Sequence, residues 1–115
     1  MSVDVFLKAV RGLPEVTEAD SFGGMTGFRV HGKGFCYLNE ADGIILLKAT
    51  REEQEALVAE APEVFSPSWS SGRFAWLEID LGKVDPEELG ELVTEGWRLS
   101  APKRLADTLP APSAP

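Results

Sequence analysis

Apolar residues at Val3, Phe6, Leu7 and Val10 recur at i, i+3, i+4 and i+7, the stripe of an amphipathic helix, with Ser2 placed as its N-cap. Gly12 and Pro14 end that helix, since glycine supplies a left-handed turn and proline cannot continue the ladder. Glu15 to Gly27 then reads as a connection carrying Gly23, Gly24 and Gly27. A loop that long in a small domain is commonly functional, so the glycine-rich 21–27 segment is a candidate rim for a ligand pocket.

Period-two patterns follow. Phe28 to His31 alternates apolar with basic, Phe35 to Leu38 is β-prone on both faces, and Gly32-Lys33 between them suits a hairpin turn. Asn39 to Gly43 is a second turn, and Ile44 to Ala49 is apolar enough for a central strand. Thr50 and Glu53 then have capping-box spacing, opening a helix with Leu57, Val58 and Ala61 on its apolar face and Pro62 at its end. Residues 63–73 read as a loop whose Phe65 and Trp69 are expected to pack beneath it. From Phe74 to Leu81 the alternation is strict: Ala75, Leu77, Ile79 and Leu81 point one way, Phe74, Trp76, Glu78 and Asp80 the other. Asp85-Pro86-Glu87-Glu88 starts a third helix with Leu89, Leu92, Val93 and Trp97 on one face, and Ala101 to Ala106 adds a last basic turn.

The predicted order is α-β-β-β-α-β-α, a two-layer α+β fold with an antiparallel sheet and helices packed on one face. A single domain is expected over residues 1–106, and residues 107–115, rich in proline and lacking an apolar period, read as a disordered tail.

Composition narrows the function classes. The 115 residues are 43% hydrophobic and 26% charged, proportions of a globular domain, and no apolar run approaches a membrane span. No secretory signal is evident at Met1 to Gly12, so a cytoplasmic protein without membrane association is expected. One cysteine excludes an internal disulfide and a cysteine-based zinc cluster, and one histidine excludes a multi-histidine metal site; no metal or cofactor is implied. The net charge of −8 has the wrong sign for a non-specific polyanion binder, so any nucleic-acid contact must be local and salt-sensitive.

Candidate chemistry is sparse. Cys36 and His31 are brought near one another by the expected hairpin, but no orienting group or oxyanion loop accompanies them, and a mid-strand cysteine is by default structural. Gly32-Lys33-Gly34 lacks the spacing of a phosphate-binding loop. Eight of the nineteen acids fall on the second and third helices, at Glu52, Glu53, Glu55, Glu60, Glu87, Glu88, Glu91 and Glu95, as solvated faces. Basic residues instead gather in the early strands: Arg29, Lys33, Lys48 and Arg51 stand against only Glu40 and Asp42. Arg29 and His31 are expected on one strand face with Lys33 in the turn, and Arg73, Phe74 and Trp76 close by on the open side of the sheet. Basic groups among aromatics on a sheet surface are a way of holding single-stranded nucleic acid.

An ordered series of short matches resembles the MmcQ/YjbR family. It runs from Leu13-Pro14-Glu15-Val16-Thr17-Glu18 through Phe28-Arg29-Val30, Gly32-Lys33 with Phe35, and Leu46-Leu47-Lys48. It continues with Ala61-Pro62 and Phe65, Trp76 in its strand, Val84-Asp85-Pro86-Glu87-Glu88-Leu89, Trp97 and Ala101-Pro102-Lys103, covering roughly residues 3–105. Trp97 departs from the more usual tyrosine. The resemblance implies a YjbR-like fold similar to that of secretion chaperones, a DNA-binding label, and no established catalytic activity. The expectation is therefore a non-enzymatic binding module contacting DNA through Arg29, His31, Lys33, Lys48, Arg73 and Trp76. The alternative is a protein-interaction adaptor offering its acidic helices or sheet edges to a basic partner. An enzyme with a pocket near residues 21–27 stands third.

Overall fold

A computed structural model describes residues 2–72 and 74–108. The first apolar stripe forms helix α1 (Ser2–Arg11), with Phe6 and Val10 fully buried. The chain continues through β1 (Val16–Asp20), a 3-10 turn at Phe22–Gly24, β2 (Thr26–Val30), β3 (Lys33–Asn39) and β4 (Ile44–Thr50). Helix α2 (Arg51–Glu60) precedes β5 (Phe65–Ser71) and β6 (Phe74–Asp80), and α3 (Pro86–Ser100) and α4 (Lys103–Ala106) complete the described chain. The six strands make one antiparallel sheet in the order β1-β2-β3-β4-β6-β5.

Alternation along the strands decides which face is covered. Phe28, Val30, Cys36, Leu38, Ile45, Leu47, Leu77 and Ile79 are buried on one face. Val3 and Leu7 of α1, Leu57 and Val58 of α2, and Leu92 of α3 pack against that cluster. This is the expected α+β arrangement, with the helices on one side of the sheet.

The local signals hold where they were strongest. Thr50 Oγ accepts from the Glu53 amide at 3.1 Å while the Glu53 carboxylate accepts from the Thr50 amide at 3.2 Å, completing the capping box. Asp85 caps α3 by accepting from the amides of Glu87 and Glu88, and Leu89, Val93 and Trp97 are buried as the spacing predicts.

Two strands lie where loops are expected. β1 occupies the Glu15–Gly27 connection, although its residues after Val16 are exposed and polar. It is a strand because β2 offers a free edge of amides and carbonyls, from Val16↔Val30 to Asp20↔Thr26. β5 occupies the expected 63–73 loop, pairing from Phe65↔Ile79 to Ser71↔Phe74 with a register shift between Pro67 and Ser70. Proline and bulges are tolerated at a sheet edge, which is where this serine-rich strand sits. Phe65 is buried as expected; the placement expected for the Trp69 side chain lies outside the described residues.

The first hairpin differs by one residue from its prediction. β2 ends at Val30, and His31 (φ 50°) and Gly32 (φ 78°) form the turn, both left-handed as a two-residue type I′ connection requires. Lys33 is therefore the first residue of β3 rather than part of the turn. The register then passes from Arg29↔Gly34 to Phe28↔Cys36, leaving Phe35 as the extra residue of a β-bulge. The bulge lets both Phe35 and Cys36 be buried, where strict alternation would expose one. Of the expected tail, Asp107 and Thr108 continue the turn of α4, their amides donating to the Lys103 and Leu105 carbonyls; residues 109–115 lie outside the described residues.

Candidate nucleic-acid interface

The sheet face opposite the helices carries the alternate positions of the same strands: Arg29 on β2, Tyr37 on β3, Ile44, Leu46 and Lys48 on β4, and Phe74, Trp76, Glu78 and Asp80 on β6. Across the ladder Tyr37 stands opposite Leu46, Trp76 opposite Lys48, Glu78 opposite Leu46 and Asp80 opposite Ile44. All but the exposed Arg29 are half-buried.

Two aromatics define the middle of this face. Tyr37 and Trp76, separated by β4, lean together with ring centroids 5.4 Å apart and planes tilted by 46°. The tyrosine can lie down because β2 and β3 carry glycines beneath it. A Cβ at Gly27 would come within 3.3 Å of the Tyr37 ring, and one at Gly34 within 2.8 Å of its hydroxyl. Arg29, paired with Gly34, flanks the same ring.

The expected site residues separate under this geometry. Arg29 and Trp76 share the open face. Lys48 stands opposite Trp76, but its ammonium lies 4.4 Å from the Phe74 ring centroid and donates to Ser100 Oγ at 3.0 Å. That charge is committed to fastening the end of α3 to the sheet, and burial, with a smaller effect of Lys33, pushes its pKa down. Lys33 is exposed but stands opposite the buried Val30, so its register position belongs to the helix-bearing side. His31 is not on the Arg29 face: its place in the left-handed turn brings its Nε2 within 2.7 Å of Glu15 Oε1. Arg73 lies outside the described residues.

Tyr37 is absent from the expected set. Its signal was present as Gly34-x-x-Tyr37 with Gly27 on the preceding strand, but only the pairing register shows that both glycines lie under one ring.

The other candidates resolve simply. Cys36 is fully buried on the helix side, and burial pushes its thiol far above the usual range, away from the reactive thiolate. With His31 held by Glu15, the two do not form a pair. The 21–27 segment is mostly ordered structure, a 3-10 turn closed by the Ser21 amide on the Met25 carbonyl at 2.7 Å and then β2.

The fold places acids of α2 and α3 near one another. Desolvation raises the pKa of Glu88, with Glu60, Asp85 and Glu91 adding to it. Desolvation also raises Glu95; Arg98, 3.3 Å away, opposes this and Glu53 adds to it. Among the described residues no three His, Cys, Asp or Glu side chains gather as a metal site, and no described helix is long and apolar enough to cross a membrane.

The fold agrees with what similarity to known proteins reveals. No curated protein matches the sequence. A crystal structure of the Deinococcus radiodurans protein DR2400, which carries a DUF419 domain, superposes with a TM-score of 0.72 at 25% identity, over 84% of this chain and 76% of that one. The sequence profile of the YjbR family matches residues 11–99, from the end of α1 almost to the end of α3 and including every described residue of the open sheet face. The chain therefore belongs to the YjbR family.

Proposed function

We propose that this YjbR-family chain is a non-catalytic nucleic-acid-binding module whose contact surface is the open sheet face. The observation that carries the reading is the Tyr37–Trp76 pair, exposed in part beside Arg29 on the sheet face turned away from the described helices. Aromatic platforms with a flanking guanidinium bind bases by stacking and phosphate by charge. The helical side, bearing the eight glutamates of α2 and α3, repels a polyanion and so orients any such contact toward the sheet.

Fluorescence anisotropy with labelled oligonucleotides at about 50 mM salt tests it. Binding in or below the range of ~10⁻⁴–10⁻⁶ M typical of non-specific binders is expected, weakened by Arg29→Glu. Absence of binding by any single- or double-stranded form refutes it.

A second reading rests on the carboxylates gathered along α2 and α3. A surface on which Glu88 and Glu95 resist ionisation favours an incoming cation, so a lysine- or arginine-rich protein is the partner it suits. Glu87→Lys with Glu91→Lys would abolish such a partnership while leaving oligonucleotide binding at the sheet face intact.

A further inference from the structure

Among the described residues the open face has an aromatic centre but almost no net positive charge. Arg29 is its one exposed cation among the described residues. Lys48 is engaged by Ser100 and Phe74, and the same face carries Glu78 and Asp80. Counterion release, which dominates binding to duplex backbones, therefore has little to act on. The described helices add little: α2 and α3 each carry four glutamates against a single arginine, α1 has Lys8 and Arg11 against Asp4 with Arg11 held by Glu18, and α4, with Lys103 and Arg104, is a single turn. What the face does offer is ring area, and a base can stack on it only if its own face is unpaired and unstacked, a condition that duplex nucleic acid does not meet.

Resting on the nucleic-acid reading of this face, we propose that its ligand is specifically single-stranded, held chiefly by stacking of bases on Tyr37 and Trp76, with Arg29 taking one neighbouring phosphate. The salt dependence is then shallow, because it follows the number of phosphates neutralised. Neutralising about one to two phosphates on a single strand gives a slope near −0.7 to −1.4 in log K against log salt. Affinity falls roughly three- to sevenfold between about 50 and 200 mM, against 10³–10⁵-fold for a protein that makes 6–10 duplex phosphate contacts.

The test titrates the whole chain with an oligothymidylate, the same length of abasic oligonucleotide, and a duplex, each at both salt concentrations. The abasic strand retains the phosphates and lacks the bases, so it isolates stacking without altering the protein. Expected are binding of the oligothymidylate with the shallow slope, a loss on the abasic strand of roughly 5- to 150-fold for each stacked base, and weaker binding of duplex. Trp76→Ala should remove one base's share of that loss, roughly 5- to 150-fold, and Trp76→Phe restore part of it, which separates loss of the ring from loss of the fold. Duplex bound as tightly as single strand, an abasic strand bound equally well, or a loss above about 100-fold between the two salts overturns this inference while leaving the broader reading standing. Failure of every oligonucleotide to bind removes both.

Discussion

Helix α3 contains two glycines whose replacement by alanine should act in opposite directions. Alanine at an ordinary helix position is favoured over glycine by about 0.8–1.0 kcal/mol. At Gly90 a Cβ would meet nothing within 4 Å, so Gly90→Ala should raise stability by close to that amount. At Gly96 the same atom would lie 2.6 Å from Leu47 Cδ1 and 3.1 Å from the Lys48 carbonyl oxygen. Leu47 is 1% exposed within the core, and the carbonyl belongs to β4, so neither yields freely. Overpacking of this kind costs roughly 1–3 kcal/mol, occasionally more. Because the propensity gain is common to both sites, the difference between the two variants isolates the packing cost. Urea unfolding should place Gly96→Ala below Gly90→Ala by about 1–3 kcal/mol, and at roughly 4–8 °C per kcal/mol the melting temperatures should differ by about 4 °C or more. Equal stabilisation by both alanines would refute the close seating of α3 on β4, and with it the placement of Ser100 against Lys48.

Three further outcomes follow from particular contacts. Thr50→Ala removes the capping box from α2, a helix with no fully buried residue to hold it, and should cost about 1 kcal/mol in denaturant unfolding, with loss of helical circular dichroism. Cys36, buried and with its thiol pushed up by that burial, should remain unmodified by a disulfide reagent at pH 8 until the protein is unfolded. Arg11 donates two hydrogen bonds to Glu18, at 2.8 and 3.0 Å, and holds the Glu18 carboxyl below the usual range. The folded pKa is the lower one, so this stabilisation is full above about pH 4.3 and is lost as pH falls through the lowered value. Stability measured from pH 7 to pH 3 should therefore fall less steeply at the acid end in Glu18→Gln.

Much of this protein was legible locally. The stripe at Val3, Phe6, Leu7 and Val10, the capping box at Thr50 and Glu53, the Asp85-Pro86 start of α3 and the alternation of β6 each fix an element through interactions spanning a few residues. Together with the one-sided apolar faces of the central strands, they specify a helix layer over a sheet. The edge strands were not legible, because their stabilisation lies in the partner. β1 is Val-Thr-Glu-Ala-Asp and β5 is interrupted by Pro67, and both become strands by completing ladders that β2 and β6 leave open.

The candidate site divides along the same line. Arg29 and Trp76 could be placed on the open face from alternation alone. Tertiary structure decided the rest: strand order brings Tyr37 to Trp76 across β4, and two glycines from different strands let the tyrosine lie flat. It also withdrew charge that the sequence had credited to the face, turning His31 toward Glu15 and Lys48 toward Ser100. A count of residues registers the sign of a charge, whereas whether that charge meets solvent or a partner depends on side chains 16 and 52 positions away.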